Sequence, residues 1–233
     1  MDIHKPNPVH SLREFLKEVG IIVLSICIAL TAEQAVEWAH WHREVAIARQ
    51  ALRAEIAANN TNFLAFRVAI APCVAREIAR ADQAISTLEA GGKLEPIAPL
   101  RATASSLIRS SEWEADRASQ VLTHFPRDEL ALISRHYDQA ADLRNWGEAD
   151  FWTDLMVLQK PLDGITRSDI LHLRVSLEKL RNMERLTVTN SRRQLRNSER
   201  LGIPVTTDAE RVKIFCTQSR EEYFRYRSAQ DLR

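Results

Sequence analysis

Cys27, Cys73 and Cys216 are the three cysteines of this 233-residue chain, and their chemistry depends on the compartment that holds them. Cys27 lies in an apolar stretch; Cys73 and Cys216 lie far apart in helix-forming sequence. In an oxidising compartment two such thiols pair, here closing a loop of about 140 residues, whereas in a reducing one they remain buried thiols. The histidines offer less. His40 and His42 flank Trp41, but residues two apart on a helix point to different faces, and His40 with Glu44 reads as a surface pair. His136, Tyr137 and Asp138 are adjacent and splay apart. Glu112, Glu114 and Asp116 cluster around Trp113 at a helix start, where acids suit the positive end of the dipole.

The basic run Arg185, Arg192, Arg193, Arg196 and Arg200 is interrupted by Glu184 and Glu199 and carries no interleaved aromatic, so it reads as a solvated helix face rather than a nucleic-acid site. Asn190, Ser191 and Asn197 beside it suggest a polar inner surface. Asn190, Arg192, Arg193, Arg196 and Asn197 are therefore the candidate partner or ligand surface. No metalloprotease, zinc-ribbon, nucleophile-elbow or phosphate-loop pattern occurs. The reading is of a protein that is not an enzyme and binds no cofactor, metal or nucleic acid. A net charge of +1, from 32 basic and 31 acidic residues, gives no global pull toward polyanions.

The elements that must position these residues begin with the apolar stretch. From Val19 to Ala32 there is no charge, and between Glu18 and Arg43 only Glu33 and Glu37 are charged. Taken alone, Val19 to Ala32 has the length of a buried core helix or a signal h-region; continued through Trp41 it suffices for a span. Trp38 and Trp41 fall where an interfacial aromatic belt is expected, and Lys17 marks the opposite interface. Lys5, Arg13 and Lys17 precede the stretch, whereas no Lys or Arg follows until Arg43, which places the N-terminus in the cytoplasm. Leu30 and Ala32 make a poor cleavage site, so an uncleaved anchor is favoured over a cleaved signal or a buried helix of a soluble bundle. The expected organisation is a cytoplasmic N-terminus over 1–16, a transmembrane anchor over 17–41 and a periplasmic helical bundle over 42–233.

The segment "EVGIIVLSICIAL", followed by a Trp and a long helix ending in "LRAEIAANN", resembles an uncharacterised bacterial family with an N-terminal single-pass anchor. "SEWEADRASQVLTHFPRDELALISRHYDQ" resembles that family's second shared stretch. The chain departs from the family pattern with Val19-Gly20 in place of Gly-Glu, and with Ala-Glu-Gln-Ala in place of Gln-Asn-Asn-Trp. The resemblance implies topology and carries no activity.

Low glycine content and abundant Ala, Leu, Arg and Glu favour helix throughout. A first helix is expected from near Ser11, with Glu14 at the capping-box offset. It either continues past a bend at Pro72 to the Gly91-Gly92 stop or breaks around Asn59, Asn60 and Asn62. It must find partners for Phe63, Phe66, Ile70, Val74, Ile78, Ile85 and Leu88. Short helices are expected over 100–109 and 112–124, a longer one from Pro126 to Gln159, one from Ser168 to Leu201, and a last one from Thr207 to Tyr226. The sum is an all-α antiparallel bundle on a stalk continuous with the anchor. Its partners are the bilayer, through residues 17–41, and a second copy or another membrane protein. The leading functional reading is a structural or protein-interaction module of the cell inner membrane. The alternative is a ligand-sensing helical domain working with a separate signalling partner, which an internal polar cavity between the last helices would favour.

Overall fold

The computed structural model of the chain describes residues 12–103, 108–145 and 148–217. Among these, every regular element is helical, as the composition predicts. Helix α1 (Leu12–Asn59) passes through one π-helical turn (Asn60–Leu64) into α2 (Ala65–Glu89) without a break. The result is a rod of 78 residues, about 120 Å long at the α-helical rise. Gly91 ends it: at φ 75° it takes the left-handed conformation glycine tolerates best, and Gly92 donates back to the Thr87 carbonyl at 2.9 Å. Pro72 sits inside α2 and does not end it, although it cannot donate to the carbonyl four residues earlier.

The rod has two chemically distinct parts. Residues 12–40 are exposed, including Ile21, Ile22, Leu24 and Ile28, and this stretch is long and apolar enough to cross a membrane. From Val45 onward the helix is packed. Phe63, Phe66, Ile70, Val74, Ile78, Ile85 and Leu88, which needed partners, are all buried.

The asparagines that could have broken the rod explain why it holds. Asn59 closes a two-way bridge with the backbone of Arg109, donating to its carbonyl at 2.8 Å and accepting from its N–H at 2.9 Å. Asn60 accepts from Ser198 at 3.2 Å, and Arg211 donates to the Asn62 carbonyl at 2.9 Å. A π turn loosens the local ladder, and here Ser198 and Arg211 from distant elements take up the Asn60 Oδ1 and the Asn62 carbonyl.

Three clusters make the core. Near the apolar segment, Val45, Ala48, Leu52 and Ile56 pack on Trp113 of α3 (Ser111–Ala118), on the 3₁₀ turn Val121–His124, and on Ile133 and Tyr137 of α4 (Arg127–Asn145). At the far end, α2 packs on α5 (Glu148–Leu155), on α6 (Arg167–Arg200) and on α7 (Ala209–Thr217). Phe63, Leu64, Ile108 and Ala140 bridge the two. α6 runs antiparallel to the rod, because its partners descend as its numbers rise: Arg174 meets Asp82, Arg67 meets Glu184, Asn60 meets Ser198 and Arg53 meets Gly202.

Several expectations need correction. The helix expected from Pro126 to Gln159 is two helices, α4 ending at Asn145 and α5 starting at Glu148, followed by a 3₁₀ turn (Met156–Gln159). The division lets Ile133 and Tyr137 enter the near cluster while Trp152, Leu155 and Leu158 enter the far one. Residues 100–103 and 108–110 are irregular, and 104–107 lie outside the described residues. The helix expected over 112–124 stops at Ala118, since Gln120 has φ 65°. α6 begins at Arg167 with a capping box from Thr166 to Asp169, and α7 begins at Ala209 rather than Thr207, capped by Asp208, which accepts from Arg211 N–H at 2.9 Å. The proposed cap at Ser11, together with Lys5, Trp146, Gly147 and the stretch up to Tyr226 beyond Thr217, lies outside the described residues.

Candidate functional site

α6 carries an unusual core-facing line. Leu173, Leu177, Leu180, Glu184, Thr187, Ser191, Gln194 and Ser198 follow one another at alternating steps of four and three, and all are buried. That spacing is the seam of a packed helix, normally apolar throughout. Here it turns polar at Glu184 and stays polar for four turns. Loss of apolar residues along α6 is therefore a change of chemistry in the core, not an exit to solvent.

At the transition sits a buried charge cluster. Arg67, from the apolar face of α2, is 2% exposed. Its Nη2 donates to both carboxylate oxygens of Glu148 at 3.1 Å and to Glu184. Thr103 donates to Glu148, and the Trp152 indole N–H donates to Thr103 at 3.0 Å. Two carboxylates thus share one buried guanidinium, with Glu148 half-buried and Glu184 at the edge of a surface groove. Burial pushes the Glu184 carboxyl up to about 7, with Glu148 adding to the effect and Arg67 opposing it. Such a cluster holds or releases a proton near neutral pH.

Farther along the seam, several polar atoms are without hydrogen bonds among the described residues: both amide atoms of Gln194, Ser191 Oγ, Asn60 Nδ2 and Asn197 Nδ2. His136 of α4 is fully buried with both ring nitrogens unbonded, and burial lowers its imidazole to about 4, so it is neutral at physiological pH. These are buried donors and acceptors without a partner among the described residues. A second network lies nearer the apolar segment. Buried Glu55 accepts from Tyr137 Oη at 2.7 Å, from Ser111 Oγ at 2.9 Å and from Glu112 N–H at 3.1 Å, which caps α3 from outside it. Tyr137 stacks on Trp113 with ring centres 5.0 Å apart, and its hydroxyl is raised by burial and by Glu55.

The five residues of the candidate surface do not form one face: Asn197 is buried in the core, Asn190 is half-buried, and Arg192, Arg193 and Arg196 are exposed. Arg192 does line a 420 Å³ groove between α2 and α6, with Arg181, Arg185 and Glu184. Cys73 and Cys216 are joined by a disulfide, with Cα atoms 5.5 Å apart, and Cys27 is free and exposed. Lys17 and Trp38 are exposed and Trp41 is half-buried, stacked on His124 with ring centres 3.9 Å apart.

Sequence reasoning passed over Arg67, Glu148, Gln194 and Glu55, took Glu184 only as a break in a basic face, and set His136 aside as one of three adjacent residues that splay apart. The signal for Glu184 and Gln194 was the unbroken four-three count from Leu173, and for Arg67 its place between Phe66 and Ile70 on one helix face. Among the described residues no group of three or more His, Cys, Asp or Glu is arranged to hold a metal ion. Comparison with known protein families, with curated proteins and with solved structures finds no match to this chain.

Proposed function

We propose that the chain is a single-pass protein of the cell inner membrane, with its N-terminus in the cytoplasm and a disulfide-stapled periplasmic bundle that serves as a structural or protein-interaction module. The observation that carries this reading is the rod itself. An exposed apolar segment of membrane length runs without a break into a packed helix tied to α7 by Cys73–Cys216. The charge asymmetry around the segment points the same way. A periplasm-active phosphatase fused after the last residue should be active, and the chain should resist alkaline carbonate extraction from membranes. An inactive fusion would reverse the orientation, and release by carbonate would remove the anchor.

The second reading is a sensing domain that binds a small polar ligand and signals through a separate partner. The unbonded amide of Gln194 beside Ser191, in a buried seam, favours it.

A further inference from the structure

Where the apolar segment ends and packing begins, the surface carries a pocket of 290 Å³. Trp38, Trp41, His42, Arg49, His124 and Pro126 line it. Two aromatic pairs form its walls: Trp38 stacks on His42 with ring centres 5.1 Å apart, and Trp41 stacks on His124 at 3.9 Å. None of the lining residues is acidic. Arg49 uses Nε and Nη2 on Glu129, at 2.8 and 2.9 Å, which leaves Nη1 without a hydrogen bond among the described residues. The polar side chains among the described lining residues are two indoles, two imidazoles and one guanidinium, hydrogen-bond donors matched to phosphate oxygen.

The position of the pocket along the rod selects the source of that phosphate. A hydrocarbon layer of about 30 Å takes up about 20 helical residues, so a span entered at Val19 leaves the hydrocarbon at about Trp38. Trp41 and His42 then stand about 4 to 6 Å beyond it, within the headgroup layer. The Arg49 backbone lies about 16 Å beyond it, but helical side chains lean toward the N-terminus, here the membrane side, and Arg49 lines the same pocket as Trp38. Trp38, 68% exposed, faces outward at the boundary where amphipathic rings settle. We infer that this pocket binds the phosphodiester of a phospholipid headgroup, held by Arg49, His42 and His124 between the two aromatic stacks. The inference rests on the anchored reading of the apolar segment. It adds a specific lipid contact made by the bundle, in which the turn before α4 clamps the bilayer surface to the first packed turns of α1.

Intact-complex mass spectrometry of the detergent-solubilised full chain tests it, with dioleoyl phosphatidylglycerol, dioleoylglycerol and inorganic phosphate added separately. Retention of a single phosphatidylglycerol, with none of the diacylglycerol that shares its tails, is expected; equal retention of both would overturn the inference. Inorganic phosphate that displaces the lipid at equal concentration would assign the pocket to free phosphate and overturn the lipid claim. Arg49→Gln combined with His124→Gln should weaken retention about tenfold or more, the scale of a lost charged hydrogen bond. Because that variant also disturbs the pair with Glu129, Glu129→Gln provides the opposing test: it frees the Arg49 charge and should strengthen retention. Weakened retention in Glu129→Gln would show that the pocket acts through packing alone and would overturn the assignment. A chain that stays soluble and monodisperse without detergent would instead refute the anchored reading beneath it.

Discussion

Glu184 and His136 should give the bundle two pH linkages of opposite sign, and each should be visible only when the other is removed. The Glu184 carboxyl moves from 4.5 to about 7 on folding, a difference of about 3 kcal/mol at about 1.4 kcal/mol per pH unit. Its folded value is raised, so the folded state binds the proton more tightly. Its contribution is complete below about pH 4.5 and is lost as pH rises through about 7. The His136 imidazole moves from 6.5 to about 4, again about 3 kcal/mol. The folded state there favours the neutral form, so stability is complete above about pH 6.5 and is lost as pH falls toward 4. Between about pH 4.5 and 6.5 the two slopes cancel. Urea unfolding of the full chain in detergent, followed by tryptophan fluorescence with the disulfide intact, should accordingly show little contribution from this pair across that interval. Glu184→Gln should make stability rise by about 3 kcal/mol from pH 4 to 6.5, and His136→Leu should make it fall by a similar amount from pH 4.5 to 7. If Glu184→Gln keeps the parent pH profile, the buried carboxyl does not take up a proton on folding and the account of the cluster is wrong.

Other outcomes follow from the same structure. Reducing Cys73–Cys216, which lie 143 residues apart, should lower the unfolding free energy by up to about 5 kcal/mol, the loop-entropy ceiling; an unchanged free energy would mean the bond does not constrain the unfolded chain. Tyr137→Phe removes the hydroxyl donor to buried Glu55 and should cost about 1 to 3 kcal/mol in the same assay. Gln194→Leu replaces an amide that is buried with neither atom bonded, so it should raise the unfolding free energy, and with it the midpoint, by about 1 kcal/mol or more in free energy. A lowered midpoint would show that the amide is engaged in the protein as purified.

How much of this was legible in the sequence depended on whether one periodicity served one chemistry. The apolar residues of the rod from Phe63 to Leu88 repeat at helical spacing, and all are buried. The upper half of α6 is as plain, from Leu173 to Leu180. Its lower half was not, because core positions are usually recognised by apolar side chains, and Glu184, Ser191 and Gln194 keep the spacing while abandoning that signal. Arg67 was hidden in the same way among Phe66 and Ile70. Its role needs Glu148 and Glu184, which are brought to it by tertiary packing and by no local pattern. The asparagines at 59, 60 and 62 carried the propensity of a break. Their side chains and carbonyls found long-range partners, and the helix continued. The disulfide was foreseeable from the count of cysteines on one side of the apolar segment. The division between α4 and α5 was not, since Ile133 and Leu155 keep helical spacing yet belong to different clusters.

The anchored, outward-facing topology is the claim on which the rest depends, and thiol accessibility tests it most directly. Intact cells and spheroplasts treated with an impermeant maleimide, before and after reduction, report on Cys73 and Cys216 separately from Cys27, which lies within the apolar segment. The account requires that Cys73 and Cys216 resist labelling until a reductant is added and then label in spheroplasts without lysis. Free thiols that label only after lysis would place the bundle in the cytoplasm and contradict it.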